Sequence, residues 1–187
     1  FKLNEGEVRA VIGPNGAGKT TFVSLIAGRV RPTSGQVFFA GEDITSLPPH
    51  TRVQRGIAYT FQITSIYPNL TVHENVELAD HGRGSVRDCL NIVGLFARAN
   101  QLAGTLAYGH QRLLEVAMGL ALKPRLLILD EPTQGLADSE IESFITLMRG
   151  VASRTTILLI EHNMKVVMDL AQRITVLAQG RILAEGT

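Results

Sequence analysis

Gly13-Pro14-Asn15-Gly16-Ala17-Gly18-Lys19-Thr20-Thr21 fits the pattern Gly-x-x-x-x-Gly-Lys-Ser/Thr, which gathers backbone N–H groups, a lysine and a hydroxyl around a polyphosphate. Glycines let the chain curl until several N–H groups point inward, and a helix starting there turns its positive dipole end on the same anion. Lys19 is then placed for the β- and γ-phosphates and the Thr20 hydroxyl for a Mg²⁺ ion. Further along, Asp130 and Glu131 follow the apolar run Leu126 to Leu129. Two adjacent carboxylates at the end of a buried strand are costly unless something cationic or protic occupies them. Gln62 and His162 also end apolar segments. Taken singly, Gln62 reads as a solvated strand end and His162 as a structurally satisfied histidine.

These groups need elements to hold them. Phe1 to Asn4 and Glu7 to Ile12 read as two strands joined by Asn4-Glu5-Gly6, the second feeding the loop, and Phe22, Leu25 and Ile26 then recur at helical spacing. Gln36 to Ala40 reads as a strand turned by Gly41-Glu42, Pro48-Pro49 opens a short segment through Arg55, and Ile57 to Phe61 returns to strand character. Thr71-Val72-His73-Glu74 has capping-box spacing, so a helix is predicted to start there. From Asn75 to Gln101 the pattern is mostly helical, with Val86, Leu90 and Val93 on one face and a break at His81-Gly82-Arg83-Gly84. A polar turn from Ala107 to Arg112 precedes a helix over Leu113 to Leu122, and Ile141, Phe144, Ile145 and Met148 mark another. Leu126 to Leu129 and Thr155 to Ile160 read as strands buried on both faces. Val166, Val167 and Leu170 mark a further helix, and a hairpin around Gln179-Gly180 closes the chain. Strands alternating with helices predict a mainly parallel sheet with right-handed crossovers, whose ligands bind beyond the C-terminal strand ends. One shared site for the loop, Gln62, Asp130, Glu131 and His162 is the economical reading.

Bulk composition narrows the function classes. With 187 residues and 45% hydrophobic content, the chain suits one globular domain or a domain with a small subdomain. Net charge is +1, with 18 Lys and Arg scattered among 17 Asp and Glu, so no basic stripe points to nucleic acid or a polybasic membrane patch. The longest apolar runs fall far short of the ~20 residues of a membrane span. Cys89 is the sole cysteine; it fits a reduced compartment and reads as a small core residue rather than a nucleophile. The chain starts at Phe1 rather than Met, its first residues look like the middle of a protein, and further sequence is expected at both ends.

With the loop, the glutamine, the turn before a helix, the Asp-Glu pair and the late histidine in that order, nearly the whole chain resembles the nucleotide-binding subunit of an ABC transporter. Leu106-Ala107-Tyr108-Gly109-His110-Gln111-Arg112 and Leu159-Ile160-Glu161-His162-Asn163-Met164 resemble branched-chain amino acid importer ATPases in particular. Thr60-Phe61-Gln62-Ile63-Thr64 and Asn69-Leu70-Thr71-Val72 point the same way. The resemblance implies an α/β P-loop NTPase core with a mainly parallel sheet, an N-terminal antiparallel β region and a small helical subdomain. Residues 1–62 and 106–187 would form the RecA-like core with its β subdomain, and residues 63–105 the helical subdomain. It also implies ATP and Mg²⁺ as ligands, with ATP on Gly13, Pro14, Asn15, Gly16, Ala17, Gly18, Lys19, Thr20 and Thr21. Thr20, Gln62 and Asp130 would serve the metal, Glu131 would be the general base, and His162 would contact the γ-phosphate. The implied partners are transmembrane permease subunits, a second ATPase subunit and, indirectly, a solute-binding protein, at the cytoplasmic face of the inner membrane. Ile66, Tyr67 and Leu70 are candidates for the permease contact, with ordinary subdomain core as the other reading.

Three departures from the family pattern stand out. Leu106, Ala107, Tyr108, Gly109 and His110 take the place of Leu-Ser-Gly-Gly-Gln, which reaches across a dimer to the partner's γ-phosphate. Only Leu106 and Gly109 are kept, so the serine contact is lost while the helix dipole remains, and a different, more regular second subunit is expected, although a homodimer stays possible. Gln134-Gly135-Leu136-Ala137 replaces Ser-Ala-Leu-Asp, and Asp138 reads as a cap for the next helix. The family stacks adenine on an aromatic residue well upstream of the loop, a contact worth roughly 1 to 3 kcal/mol, and this sequence as it stands has no counterpart. The other readings are an ATPase of a urea, amide or other small-solute importer and a soluble ABC-type ATPase of repair or translation. The latter lacks support in a single-domain chain with Gln62 close to Leu106 and no basic stripe. A P-loop kinase would leave Glu131, His162 and the signature-like turn unexplained.

Overall fold

The computed structural model describes residues 1–60, 66–82 and 84–187. In chain order its elements are β1 (Val8–Ile12), α1 (Lys19–Ala27), β2 (Phe38–Phe39), β3 (Glu42–Asp43), α2 (Pro49–Gln54), β4 (Ile57–Thr60), α3 (Val72–Asp80) and α4 (Val86–Ile92). They continue with α5 (Tyr108–Ala121), β5 (Leu126–Asp130), α6 (Asp138–Ala152), β6 (Thr156–Ile160), α7 (Met164–Leu170), β7 (Arg173–Ala178) and β8 (Arg181–Gly186).

One sheet runs in the order β4-β5-β6-β1-β7-β8, and β2 pairs with β3 in a separate antiparallel ribbon. Every neighbour in the large sheet is parallel except β7 with β8. The expected α/β class with a mainly parallel sheet and a small antiparallel region is therefore correct. β5 and β6 are buried along their whole length, which explains why their sequences are continuously apolar rather than alternating. Alternate residues of β5 divide between two cores. Leu127 and Leu129 pack toward Leu114, Phe144 and Met148, whereas Leu126 and Ile128 pack with Val23, Ile44 and Ile160. Each such fully buried side chain is worth about 1.5–3 kcal/mol of transfer free energy.

Register levels the strand ends. Ile160 pairs with both Asp130 and Val11, so β5, β6 and β1 finish side by side at one edge of the sheet. Whatever follows these strands is thereby brought together. The start of α1 is fixed partly from its far end. Arg52, 1% exposed, donates to the carbonyls of Leu25 and Ile26 at the C-terminus of α1 and to those of Thr45 and Leu47. A buried cation there complements the negative end of the helix dipole. A Cβ on Gly28 would meet Arg52 Nε at 2.6 Å, so the helix must end on glycine.

The Thr71 capping box forms as expected, with the Glu74 N–H donating to Thr71 Oγ1 and the Thr71 N–H to a Glu74 carboxylate oxygen. Leu90 and Val93 are buried as their spacing predicts, and so is Cys89, whose thiol burial pushes up. Other expectations need correction. Phe1 to Asn4 forms no strand; Asn4 turns back to hydrogen-bond Glu7, and no neighbouring strand among the described residues offers a ladder. β2 spans two residues rather than five, because a tight turn with positive φ at Ala40 and Gly41 begins at once. α5 starts at Tyr108, five residues early: Ala107 to Arg112 is no turn but the helix N-terminus, concealed by an N-cap without a capping side chain. Asp138 is the first residue of α6, not its cap, and its carboxylate complements the dipole from within the first turn. Phe61, the predicted end of β4, lies outside the described residues. Among the described residues no helix is long and apolar enough to cross a membrane.

Candidate functional site

The loop after β1 is held in shape by its neighbours. Gly16 and Gly18 adopt positive φ, and Gly18 is the N-cap of α1. A Cβ on Gly13 would lie 2.1 Å from the carbonyl oxygen of Leu177, so only glycine lets the loop pass this close to β7. The Gly180 N–H donates to the Ala17 carbonyl at 2.8 Å, so the β7–β8 turn clamps the loop from the side. Lys19 is 6% exposed and its ammonium donates to the carbonyls of Gly13 and Pro14. That holds the charge over the curled backbone rather than in solvent.

Two strands deliver the carboxylates and the histidine. Asp130, at the end of β5 and 1% exposed, accepts from the Tyr59 hydroxyl at 2.8 Å through Oδ2. Its Oδ1 is buried without a hydrogen-bond partner among the described residues. Burial pushes the Asp130 carboxyl up, and burial together with the Asp130 contact does the same to the Tyr59 hydroxyl. Glu131 has φ +50°, a conformation sparsely used by non-glycine residues, and its N–H donates to Ile160. From the end of β6, His162 Nε2 lies 2.7 Å from Glu131 Oε1, close enough to donate when it carries the proton.

A cavity of about 670 Å³ is lined by Asn15 to Thr21 together with Glu131, Gln134 and His162. Part of the loop, Glu131 and His162 therefore share one cavity, whereas Asp130, buried at the end of β5, is not among its lining residues. Gln62 lies outside the described residues. A second cavity, of about 740 Å³, sits between the β2–β3 ribbon and the large sheet and is more apolar. It is lined by neither the phosphate-loop residues nor Glu131 and His162, so the smaller cavity is the one with anion-binding chemistry.

The orphaned Oδ1 of Asp130 is what a hard cation would satisfy. Among the described residues no group of three or more His, Cys, Asp and Glu forms an all-protein cage. One carboxylate and the Thr20 hydroxyl are the sparse set that suits Mg²⁺ when phosphate oxygens complete its shell. The same orphan should cost stability without a ligand. Because burial raises the Asp130 pKa, the native state holds the proton more tightly than the unfolded chain. Stability of the ligand-free protein thus falls as pH rises through the carboxylate range. Asp130→Asn, which removes the charge and keeps an acceptor for Tyr59, is expected to raise the ligand-free melting temperature at neutral pH by a few degrees. A gain of about 1 kcal/mol corresponds to ~2–4 °C at this size. Calorimetry on the two proteins checks this; an unchanged or lower melting temperature contradicts it.

The signature-like residues occupy the start of α5. Leu106 is buried, Ala107 and Tyr108 are exposed, Gly109 is buried and His110 half-buried. The Tyr108 ring packs on Gly135, where a Cβ would come within 3.0 Å of its Cε1, and Arg112 Nε donates to the Tyr108 hydroxyl. A Cβ on Gly109 would lie 2.2 Å from Glu140 Oε1, so α5 begins pressed against the start of α6. One buried residue of this region escaped the sequence reading. Glu161 is 3% exposed and bonds both to Thr133 and to the backbone after β6. Like Asp130 it is a carboxylate ending a buried strand, and that signal marks it.

Residues 1–134 match the family model described as ABC transporter. The chain is 38% identical to the high-affinity branched-chain amino acid transport ATP-binding protein BraF of Pseudomonas aeruginosa, over 100% of this chain and 83% of that protein. A solved ATP-binding cassette of an ABC transporter in its ADP conformation superposes with a TM-score of 0.91 at 28% identity, covering 100% of this chain and 82% of that one. A dimeric cassette in a post-hydrolysis state, bound to ADP and Pi, superposes with a TM-score of 0.88 at 26% identity, covering 100% and 88%.

Proposed function

Because the chain belongs to the ABC transporter ATPase family, we propose that it is the ATP-hydrolysing subunit of an importer for branched-chain amino acids. The observation that carries the catalytic reading is the convergence of Asn15 to Thr21, Glu131 and His162 on one cavity. Loop N–H groups, the α1 dipole and Lys19 bind the phosphates. Thr20, Asp130 and Gln62 would hold Mg²⁺, which would supply the charge neutralisation that the phosphates need. Glu131 takes a proton from water as its oxygen attacks the γ-phosphorus, the bond to the bridging oxygen breaks, and ADP and phosphate leave. His162 holds Glu131 by the hydrogen bond already present and reaches the γ-phosphate. Little covalent chemistry is asked of the protein, so positioning and charge neutralisation suffice.

The α5 N-terminus, Leu106 to His110, works in trans on the nucleotide of a second ATPase subunit. Ala107 brings no side-chain cap and no hydroxyl to that contact, which favours a heterodimer with a subunit carrying the usual serine. The assembly sits at the cytoplasmic face of the inner membrane on a transmembrane permease, served by a solute-binding protein. Residues 1–62 and 106–187 act as the RecA-like core, and residues 63–105 face the permease as the helical subdomain. Tyr67 supports this placement. Its side chain is 55% exposed, while the buried Asn75 fixes its backbone by accepting from its N–H and donating to its carbonyl. Ile66, in contrast, packs against the main core.

Tyr67→Asp is therefore expected to abolish ATP-driven uptake by the reconstituted transporter while ATP hydrolysis by the purified chain stays within about twofold, as for a surface change that leaves the fold intact. Loss of both activities would place Tyr67 in the core and overturn the assignment of this face. The solute is tested by uptake of leucine, isoleucine or valine in cells lacking the subunit. Unimpaired uptake there overturns the branched-chain reading without touching the ATPase.

A further inference from the structure

Glu131 and His162 stand on separate turns, one after β5 and one after β6, and their 2.7 Å contact requires those turns to keep a fixed spacing. Backbone bonds from the Gln134 N–H to the Glu131 carbonyl and from the Glu131 N–H to the Ile160 carbonyl hold part of the first turn, but neither reaches the segment that carries His162. Glu131 is in a strained backbone conformation, and the His162 ring is attached to a segment with no regular structure of its own until α7 begins at Met164.

Glu161 joins the two turns. Its Oε1 accepts from the Thr133 N–H at 3.0 Å and from the Thr133 hydroxyl, two residues beyond Glu131. Its Oε2 accepts from the N–H groups of His162 at 2.9 Å and Asn163 at 3.1 Å. Four donors on one carboxylate, itself 3% exposed, leave it no freedom to rotate away. Asn163 continues the clamp by capping α7 through Oδ1, which accepts from Lys165 and Val166. The backbone of His162 is thereby held on both sides, and only its ring is left to swing.

We propose that Glu161 is a positioning residue for hydrolysis: its carboxylate ties the turn bearing Glu131 to the turn bearing His162 and so sets the distance between base and histidine. This rests on the ATPase reading above. Glutamine cannot replace Glu161, because an amide has one oxygen and an NH₂ group, and whichever turn faces the NH₂ meets it with donors. One turn is then released, while the phosphate-binding loop and Lys19 are untouched.

The test compares the wild-type chain, Glu161→Gln, Thr133→Val, Glu131→Gln and the double variant Glu161→Gln/Glu131→Gln, reading kcat, ATP affinity and melting temperature. The expected result is a kcat lowered roughly 10- to 100-fold in Glu161→Gln with ATP affinity changed less than about threefold, as a misplaced catalytic group should give. Thr133→Val, which removes only the hydroxyl bond, is expected to lower kcat by about three- to tenfold in the same manner. Added to Glu131→Gln, the Glu161 change should cost clearly less than it does alone, because part of its effect runs through Glu131. Wild-type kcat in Glu161→Gln, or an additive loss in the double variant, overturns the inference and leaves the ATPase reading standing. If Glu161→Gln does not fold, Thr133→Val decides, and a wild-type kcat there overturns the inference. Absence of hydrolysis by the wild type, both alone and with the second ATPase subunit, would overturn the ATPase reading and this inference with it.

Discussion

Glu131→Gln is expected to lower the rate of ATP hydrolysis by roughly 10²- to 10⁴-fold while leaving ATP affinity nearly unchanged. Glutamine matches glutamate in shape and keeps an oxygen at the position of Oε1, so His162 Nε2 can still donate to it. What disappears is the ability to take a proton from water. Glu131 shares the cavity with Lys19 and the loop, but the groups that grip the phosphates, the loop N–H donors and the Lys19 ammonium, are unchanged by the substitution, so binding is spared. Steady-state phosphate release and a nucleotide-binding titration on the same preparations check both halves. Equal turnover by the two proteins would remove Glu131 from the role of base.

Lys19→Ala has the opposite profile. The ammonium has three donors, and the carbonyls of Gly13 and Pro14 account for two bonds in the present geometry. It is the lysine of the loop, nine-tenths buried, at the mouth of a helix whose dipole already favours an anion. A hydrogen bond to a charged group is worth about 1.5–3 kcal/mol, so its loss should weaken ATP binding by roughly tenfold to a hundredfold or more, and turnover with it. Because Lys19 also ties loop carbonyls, a melting curve must accompany the titration. An intact fold with unweakened ATP binding would contradict the assignment of this loop to phosphate.

How much of this was legible in the sequence follows from how local each signal is. The loop could be read because its glycines, lysine and hydroxyls are consecutive, and β5 and β6 because buried strands are continuously apolar. The Thr71 capping box was visible for the same reason, both partners lying three residues apart. Features held together by distant partners were not visible. Arg52 reaches carbonyls 26 and 27 residues earlier, and Glu161 bonds a threonine 28 residues away. Nothing in the spacing of either residue announces its partners. The start of α5 was missed for a different reason. A helix N-terminus is usually signalled by Ser, Thr, Asp or Asn, and Ala107 gives no such signal. The strand expected at Phe1 to Asn4 failed because strand character is realised only beside another strand, whereas Phe1 packs edge-on against Phe22.

Tyr108 also changes meaning once the structure is in view. As a departure from a glycine in the signature it marks a loss of backbone freedom. In three dimensions its ring covers Gly135, two residues beyond Thr133, so the start of α5 rests on the segment that follows Glu131. The helix N-terminus proposed to face a second subunit's nucleotide is thus packed against the turn proposed to serve this one.

The most direct test of the central claim is phosphate release from Mg²⁺·ATP by the wild-type chain beside Glu131→Gln at saturating nucleotide, first alone and then with the second ATPase subunit. The account predicts hydrolysis by the wild type, abolished by chelating the metal and reduced at least about a hundredfold in Glu131→Gln, which still binds ATP. Hydrolysis that survives equally in Glu131→Gln, or a wild type that binds ATP and releases no phosphate even with the second subunit present, would contradict it.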